Sequence, residues 1–378
     1  MSLFSRKDLG ELILILDVQS SVVRGSLCIL KDGALPQVVF TYNASIPWKP
    51  HTDSNYLIKV TLRAIEESID ACLRDLHLKR AGGAEIARTV SAVHYALSSP
   101  WIVSQAKTVN AKLSKEVAVT RSQIEKIIAA ERAKMTAQAD IEIIEEKIFD
   151  VRLNGYSIRE WAGKAATDIE ISYAISVAGT RMIDHFRKAC ARAVKRDRVR
   201  FHSSLLLQFI GMQKAAPEHG DFSLIHVHGE LTDIAVISAG EAALFGSYPF
   251  GVQTIIREAA ERTGTSQQAA DSLITLYTGK HIDPVHDKIG IEAIDSAKAR
   301  WADGLESALS SLAAQPPHFI LSAWAHDDFF REIIAEKHPG TVVESLSIDV
   351  ISPHVAFWPK SEKRRHTGLY AIAIDSML

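Results

Sequence analysis

The sequence predicts an α/β protein made of two related halves, with a small α+β unit inserted into the first half. A meander of short apolar strands followed by helices occurs near residues 12–78 and again near 222–278. Between these repeats, residues 90–177 contain short strands mixed with one helix, which is the pattern of a compact unit of its own. A chain of 378 residues is long enough for two domains, or for one domain that carries an insert.

The first meander opens with residues 12–18 (LILILDV), a continuous apolar run typical of a buried strand. A polar turn over 19–21 leads into a second strand over 22–30 and a third over 38–42. Apolar residues then recur at helical spacing over roughly 54–78, so we expect a long amphipathic helix after the meander.

The inserted unit is expected to hold an amphipathic helix over 120–135 and a strand over 169–177. Asn154-Gly155 lies between two apolar runs and is a strong hairpin signal, because both residue types tolerate the left-handed backbone of a tight turn. The sequence therefore predicts three parts. Domain I comprises residues 10–89, 178–215 and 340–378, the insert comprises 90–177, and domain II comprises 216–339.

The second meander spans 222–248 and repeats the order of the first, with an apolar strand, a polar turn and two further strands. Periodicity predicts the remaining elements of the chain. They are helices at 180–196, 252–263, 266–278, 290–313 and 326–336, and strands at 319–323 and 369–374.

Composition excludes several classes of protein. The net charge of −2 gives no basic field that would attract nucleic acid. Three scattered cysteines do not form a disulfide framework or a metal-binding pattern. The apolar run Leu12–Leu16 is far shorter than the roughly 20 residues of a transmembrane helix. The start MSLFSRKD lacks the apolar region of a signal peptide, so we expect a cytoplasmic protein.

Residues with phosphate-binding character follow the first strand. The segment LILILDVQSSVVRGSLCIL resembles the first phosphate loop of the actin superfamily of ATPases, in which two ribonuclease H-like repeats enclose a nucleotide. Asp17, Ser20, Ser21 and Arg24 match the pattern of that loop, whereas Gln19 stands where the family has glycine. The resemblance implies that Asp17 contacts Mg²⁺ through water and that Arg24 contacts phosphate.

The second meander carries the matching loop. IHVHGELTDIAVISAG resembles the second phosphate loop of the same superfamily through Gly229, Thr232 and Asp233. Gly251 follows the meander, and Ser322-Ala323 follow the later strand at the place where the family has a Gly-Gly pair against the nucleoside. The resemblance therefore implies ATP with Mg²⁺ as the cofactor, held between the two halves.

Several replacements weaken this expected site. They are His226 for a strand aspartate, His228 and Glu230 for small residues, Ile274 for lysine, and Ser322-Ala323-Trp324 for the Gly-Gly pair. A neutral imidazole does not replace a carboxylate near Mg²⁺, and Glu230 would repel phosphate. We therefore expect nucleotide binding to be weak or lost and the protein not to be an enzyme, or to retain only a vestigial ATPase. A metal site formed by His226, His228 and Asp17 is the alternative use of these histidines.

The inserted unit narrows the resemblance to the FtsA/PilM family, whose members carry an SHS2-type α+β subdomain. The similar segments are VHYALSSPWIVSQ, LNGYSIREWAGKAATDIEISYAISVAG and YPFGVQTIIREAAERTGTSQQAADSLITLYTG. This resemblance implies an FtsA-like scaffold for cell division or envelope assembly. It would associate with itself and lie at the inner membrane through a protein partner, either a division protein or a pilus assembly protein.

Three alternatives remain open at this point. The first is a PilM-like protein of type IV pilus or secretion assembly, and the closing strand predicted at 369–374 favours it. The second is an active ATPase or sugar-kinase-like enzyme of the actin superfamily. The third is an interaction module that binds no nucleotide and tolerates replacement of Asp17 by alanine.

Overall fold

The computed structural model describes residues 10–47, 53–81, 89–136, 140–238, 241–283, 287–312, 318–323, 325–358 and 364–377. The strands are β1 (Glu11–Val18), β2 (Val22–Leu30), β3 (Gln37–Ser45), β4 (Ala92–Leu97), β5 (Val103–Ala118), β6 (Ile141–Leu153), β7 (Tyr156–Ser157), β8 (Ala165–Gly179), β9 (Val199–Ser203), β10 (Phe222–Val227), β11 (Thr232–Ser238), β12 (Glu241–Tyr248), β13 (His318–Ala323), β14 (Val342–Ser345) and β15 (Ala356–Phe357). The helices are α1 (Ser54–Ala81), α2 (Arg121–Thr136), α3 (Thr180–Ala189), α4 (Ser204–Ala215), α5 (Val252–Thr263), α6 (Gln267–Thr278), α7 (Lys288–Ser311), α8 (Asp327–Lys337), α9 (Ile348–Ile351) and α10 (Arg365–Asp375). None of these helices is long and apolar enough to cross a membrane.

The first sheet has the strand order β15-β3-β2-β1-β4-β9, so β1 lies inside it. β1, β2 and β3 form an antiparallel meander, whereas β4 runs parallel to β1 and β9 runs parallel to β4. Alternate residues of β1 enter two different cores: Ile13 and Ile15 face one, and Leu12, Leu14 and Leu16 face the other. Burial on both faces explains why this strand reads as an uninterrupted apolar run.

The second sheet has the order β12-β11-β10-β13-β14 and repeats the design of the first. β10, β11 and β12 form an antiparallel meander, and β13 runs parallel to β10 in the place that β4 takes beside β1. All six residues of β10 are buried. The two meanders predicted from the sequence are therefore the first three strands of two equivalent sheets.

Helices α4 and α10 form a layer between the two sheets. Their side chains share one core with residues of β1 and β10, and both helices are buried along almost their whole length. Gly211 of α4 allows them to cross closely, because a β-carbon there would lie 2.6 Å from the carbonyl oxygen of Leu369 in α10. The sequence interpretation of 369–374 as a closing strand is wrong: this segment belongs to α10. A helix buried on every side shows no amphipathic period, so its pattern is not distinguishable from that of a strand.

A third, antiparallel sheet with the order β5-β8-β6-β7 forms the inserted unit, and α2 shares its apolar core. The predicted hairpin turn is present, with φ of 53° at Asn154 and 86° at Gly155. Two strands near the expected domain boundaries pair differently from the sequence interpretation. β4 pairs with β1 in the first sheet rather than with the insert, and β14 pairs with β13 in the second sheet.

Helix α3 is shorter than the sequence predicts. It ends at Ala189, and two short 3₁₀ turns at Cys190–Arg192 and Arg196–Arg198 lead to β9. The three cysteines are free thiols buried in apolar surroundings, as expected of small core residues. Neither β9 nor α4 was predicted from the sequence. The apolar run over 204–212, which forms most of α4, has no clear period.

Candidate functional site

The turns of the two equivalent meanders meet face to face between the sheets. The backbone N–H of Glu230 in the β10–β11 turn donates a hydrogen bond of 2.9 Å to Oγ of Ser20 in the β1–β2 turn. Ser20 Oγ also lies 3.2 Å from Nδ1 of His228. At the tip of the contact, a β-carbon on Gly229 would overlap the hydroxyl and Cβ of Ser21. The two predicted phosphate loops therefore pack directly against each other.

A chain of polar groups continues from this contact into the second sheet. His228 Nε2 lies 3.2 Å from Oδ2 of Asp233, and the same oxygen accepts a hydrogen bond of 3.2 Å from the backbone N–H of Ser99. Ser20 Oγ accepts from the Glu230 N–H and pairs with one ring nitrogen of His228. The opposite ring nitrogen donates to the carboxylate of Asp233, which can only accept. We call this connected set, Ser20, His228, Asp233 and Ser99, the interdomain clamp.

Asp233 is ionised within the clamp. Burial opposes the charged carboxylate, but the charge and hydrogen bond of His228, together with the Ser99 amide, outweigh it and lower the pKa of Asp233 to about 2. The second carboxylate oxygen, Oδ1, is buried and has no hydrogen-bond partner among the described residues. One oxygen of a buried carboxylate is therefore fully used, and the other is not.

Asp17 and Arg24 lie opposite each other on β1 and β2 and form a buried ion pair of 2.8 Å. Gln19 Nε2 donates to Asp17 at 3.1 Å, and Arg24 Nε donates to Asn43 at 3.2 Å. Burial raises the pKa of Asp17, and the neighbouring guanidinium of Arg24 opposes that shift. The residues expected to hold Mg²⁺ and phosphate are thus directed at each other.

His226 lies deeper in the cleft, between β13 and α10. Its Nδ1 lies 3.0 Å from the carbonyl oxygen of Ser322, and burial lowers the pKa of His226 to about 3, so the ring is neutral. Ser322 Oγ donates to Gln208 at 2.7 Å and lies 2.7 Å from Nε2 of His366. In the part of the chain that the structure describes, no three histidine, cysteine or carboxylate side chains are grouped to hold a metal ion. The histidines instead bond to protein groups.

Ser322-Ala323, the segment predicted to contact a nucleoside, forms hydrogen bonds with its own domain and with α10. The backbone N–H of Ala323 donates to Asp327 at 3.2 Å, and its carbonyl accepts from Arg365 at 2.7 Å. Arg365 and Asp327 also form an ion pair of 2.5 Å. Ser322 and Ala323 are completely buried, and Trp324 lies outside the described residues.

The N-terminus of α5, which begins after Gly251, is satisfied by the β10–β11 turn. Val252 N–H donates to the carbonyl of His228 at 3.0 Å, and Gln253 N–H donates to that of Gly229 at 2.7 Å. A helix start with free N–H groups is a common anion site, and here two of those groups already have acceptors.

Two further residues of the second predicted phosphate loop have contacts other than those expected. The carboxylate of Glu230 forms a two-pronged pair with Arg257 of α5 at 3.0 and 2.9 Å, so it is directed at α5 and not at a phosphate position. Thr232 Oγ1 donates to the carbonyl of Phe250 at 2.7 Å and accepts from Trp301 Nε1 at 3.0 Å. Ile274, in place of the family's lysine, is buried in the apolar core of the second domain.

Two cavities of about 410 Å³ each adjoin the clamp, and Pro100 and Leu231 line both of them. The first, the β3–α5 cavity, is lined by Ser20, Ser21, Ser45, Ile46, Pro47, Leu57, Pro100, Glu230, Leu231, Gln253 and Gln267. The second, the β5–β12 cavity, lies between the insert and the second sheet and includes Asp233 in its wall. The clamp contributes Ser20 to the wall of the first cavity, and Ser99 and Asp233 to the wall of the second.

No family model matches this chain, and no curated protein matches it. A solved structure titled "PilM-PilN type IV pilus biogenesis complex" contains a chain that is similar over 96% of both chains, with a TM-score of 0.63 and 13% identity. The ethanolamine utilization protein EutJ from Carboxydothermus hydrogenoformans is similar over 96% of this chain and 89% of that chain, with a TM-score of 0.46 and 10% identity. The apo psk41 ParM protein is similar over 97% of this chain and 98% of that chain, with a TM-score of 0.41 and 7% identity.

The similarity to the PilM–PilN structure and the two equivalent sheets define the class of fold. The chain has a two-domain, actin-like ATPase fold, which confirms the fold class predicted from the sequence. Identity of 13% shows the fold alone, so the role of the chain is inferred from its site.

The structure gathers most of the predicted site residues into one cleft, although their partners differ from those expected. Asp17, Ser20 and Arg24 come from the first sheet and meet Gly229 and Asp233 from the second. Sequence reasoning missed the contributions of Gln208 and His366, since α4 was not predicted and α10 was assigned as a strand. The polar residues within those two apolar runs were the available signal.

Proposed function

We propose that this chain is a non-hydrolysing actin-fold scaffold of the FtsA/PilM type, in which protein side chains join the two domains where related folds hold a nucleotide. The observation that carries this proposal is the contact of Gly229 with Ser21 between the two turns. A phosphate needs backbone N–H groups that converge on an open space. Here that space is occupied by the opposing turn, and the Glu230 N–H is donated to Ser20.

The charges of the cleft support the same proposal. A magnesium ion requires carboxylate oxygens that are available as ligands or as acceptors for its waters. Asp17 is paired with Arg24 and hydrogen-bonded by Gln19, and all three side chains are buried. Releasing Asp17 for a metal would break its buried ion pair with Arg24, which costs on the order of 3–5 kcal/mol. These residues do not fit ATP with Mg²⁺, so we derive no catalytic step from them.

We further propose a place for this scaffold in envelope assembly. The similarity to a chain of the PilM–PilN complex supports a PilM-like role, in which the chain binds a segment of an inner-membrane protein and so lies at the membrane through that partner. The FtsA-like role in division and self-association remains a prediction from the sequence. The division into domain I, an insert and domain II is proposed along the lines of the three sheets.

Titration with nucleotide tests the loss of the site. Thermal unfolding of the full chain is measured with ATP or ADP at millimolar concentration, with and without Mg²⁺, together with phosphate release. We expect no change in Tm and no release above the rate without protein. A ligand present at 100 times its Kd stabilises by about 2.7 kcal/mol, so a Mg²⁺-dependent rise of several degrees would overturn the proposal and favour an active ATPase.

A partner experiment tests the envelope role separately. The full chain is purified from detergent-solubilised inner membranes of its own source, and bound proteins are identified by mass spectrometry. Recovery of an inner-membrane protein of pilus or secretion assembly supports the PilM-like role. Recovery of a tubulin-like division protein would favour the FtsA-like role, and recovery of neither would contradict both.

A further inference from the structure

The β5–β12 cavity adjoins the clamp, because Ser99 and Asp233 belong to both. Its wall combines apolar side chains with hydroxyl and amide groups from the insert, the first domain and the second domain. The lining residues are Leu97, Ser99, Pro100, Ile102, Val103, Ser104, Gln105, Ser203, Leu205, Leu231, Asp233, Phe245, Gly246 and Ser247. Among these residues, Asp233 is the one that carries a charge.

We propose that this cavity binds the ammonium group of a lysine side chain presented by a protein partner. The proposal begins with Asp233 Oδ1, a buried carboxylate oxygen with no hydrogen-bond partner among the described residues. Native structures pair nearly all buried polar atoms, and an unpaired one calls for a donor from a ligand or a water. A negatively charged oxygen in a wall with no cation selects a positively charged donor over a neutral one.

The state of the other carboxylate oxygen decides between lysine and arginine. Oδ2 of Asp233 is already used by His228 Nε2 and by the backbone N–H of Ser99. A guanidinium binds a carboxylate best through two parallel hydrogen bonds, which require both oxygens. An ammonium is a compact charge that binds well to a single oxygen, so the geometry favours lysine.

The rest of the wall suits the other parts of a lysine side chain. An ammonium has three hydrogens, and the hydroxyl group of Ser247 lines the same space as a further acceptor. The hydroxyls of Ser104 and Ser203, in the same wall, bond to each other. Apolar side chains such as Ile102 and Phe245 offer contact to the four-carbon stem. A volume of 410 Å³ is within the range of about 300–1,000 Å³ found for ligand pockets.

The position of the cavity favours a protein as the source of the lysine. The cavity lies beside β5 and β12, which are the edge strands of their sheets in the described part of the chain. An extended segment that runs past such edges can place one side chain into the cavity and keep its backbone outside. The inference stands on the cavity alone and does not depend on the loss of nucleotide binding.

The experiment uses the full chain and three small probes. Binding of Nα-acetyl-lysine N-methylamide is measured by calorimetry at millimolar concentration, in parallel with its norleucine analogue, which has the same stem and no charge, and with its arginine analogue. A charged hydrogen bond is worth about 1.5–3 kcal/mol, so we expect the lysine probe to bind roughly tenfold to a hundredfold more tightly than norleucine. The arginine probe should bind more weakly than lysine.

Two variants locate the site. Asp233→Asn removes the charge and should reduce lysine binding to the level of norleucine. Because Asp233 also belongs to the clamp, a second variant, Gln105→Trp, places an indole in the wall of the cavity from an exposed position of β5 and changes no clamp residue. Asn110→Trp, on an exposed position of β5 outside the cavity, is the control and should bind lysine as the unmodified chain does.

Equal binding of lysine and norleucine would overturn the proposal, as would undiminished lysine binding by Gln105→Trp. Absence of measurable lysine binding to the unmodified chain would overturn it as well. Tighter binding of the arginine probe would overturn the choice of lysine. None of these outcomes changes the result of the nucleotide titration, so the two proposals fail separately.

Discussion

Ser20 of the first sheet accepts a hydrogen bond of 2.9 Å from the backbone amide of Glu230 in the second sheet, across the cleft of the actin-like fold. This bond is one of the contacts that join the two turns identified from the sequence as phosphate loops. With His228 and Asp233 behind it, the bond belongs to a buried polar network that links the two domains. The first three predictions concern residues that line this cleft.

Replacement of Gly229 by alanine is expected to push the two turns apart. The added carbon overlaps Ser21, and overpacking of this kind costs about 1–3 kcal/mol. Urea unfolding monitored by circular dichroism measures the change. Gly179→Ala is the matched control, since a β-carbon there has no neighbour within 4 Å and its φ of −63° suits alanine.

The companion variant for Gly229→Ala is Ser21→Gly, which removes the overlapped atoms. If the overlap is the cause, the double variant should regain most of the stability lost in Gly229→Ala, and the coupling between the two changes should exceed about 0.5 kcal/mol. Additive effects of the two changes would contradict the close contact of the turns.

Replacement of Ser20 by alanine should destabilise the chain by about 1–3 kcal/mol, because the Glu230 N–H and the His228 ring both lose a partner in a buried place. Ser45→Ala, at an exposed serine of the same cavity wall, should change stability by less than about 0.5 kcal/mol. Chemical denaturation of both variants makes the comparison. Equal effects of the two changes would show that Ser20 does not join the domains.

Replacement of Asp17 by alanine is expected to destabilise the chain strongly, by roughly 3–5 kcal/mol, because it removes the carboxylate that forms a buried ion pair with Arg24. The double variant Asp17→Leu/Arg24→Met should be closer to the unmodified chain, since no charge remains buried. Urea unfolding compares the single and double variants.

An exposed ion pair is the control for the Asp17 prediction. Asp328 pairs with Arg331 at the surface, and Asp328→Ala should cost less than about 1 kcal/mol. An Asp17→Ala chain as stable as the unmodified one would agree with the sequence alternative of an interaction module that tolerates this change. That result would also contradict the pairing with Arg24.

Sequence reasoning predicted two kinds of element. They are helices with one apolar and one polar face, and short strands flanked by turns. Both meanders were found because β1 and β10 are short apolar runs that end in polar turns. The site was predicted in part for the same reason: Asp17, Ser20 and Asp233 lie at strand ends or in turns. Their positions follow from local pattern, whereas their partners depend on how the two sheets approach each other.

The elements that sequence reasoning missed lie in the central layer. Helices α4 and α10 are buried on almost every side, so their sequences show no clear helical or strand period. The partners of His226 were missed with them, since Gln208 and His366 are contributed by those helices through Ser322. The distance between the turns could not be read from the chain either, because it depends on the packing of this layer.

Lowering the pH is expected to destabilise the chain at pH values well above those at which carboxylates usually titrate. Burial lowers the pKa of His226 to about 3, and burial, with His202 and Arg200 nearby, also lowers that of His94 to about 3. In the unfolded chain each imidazole takes up a proton near pH 6.5. Between about pH 6.5 and pH 3 the unfolded state therefore binds more protons than the folded state, so the free energy of unfolding falls as the pH falls.

Between pH 7 and pH 5.5 the free energy of unfolding should fall by about 1 kcal/mol for each such histidine. Urea denaturation across this range measures it, and His226→Asn tests the assignment, because the asparagine amide can still donate to the Ser322 carbonyl but takes up no proton in either state. The variant should lose one histidine's share of the pH dependence, whatever its stability at pH 7. An unchanged slope would show that His226 is not held neutral in the folded cleft and would remove the basis for its place in the buried network.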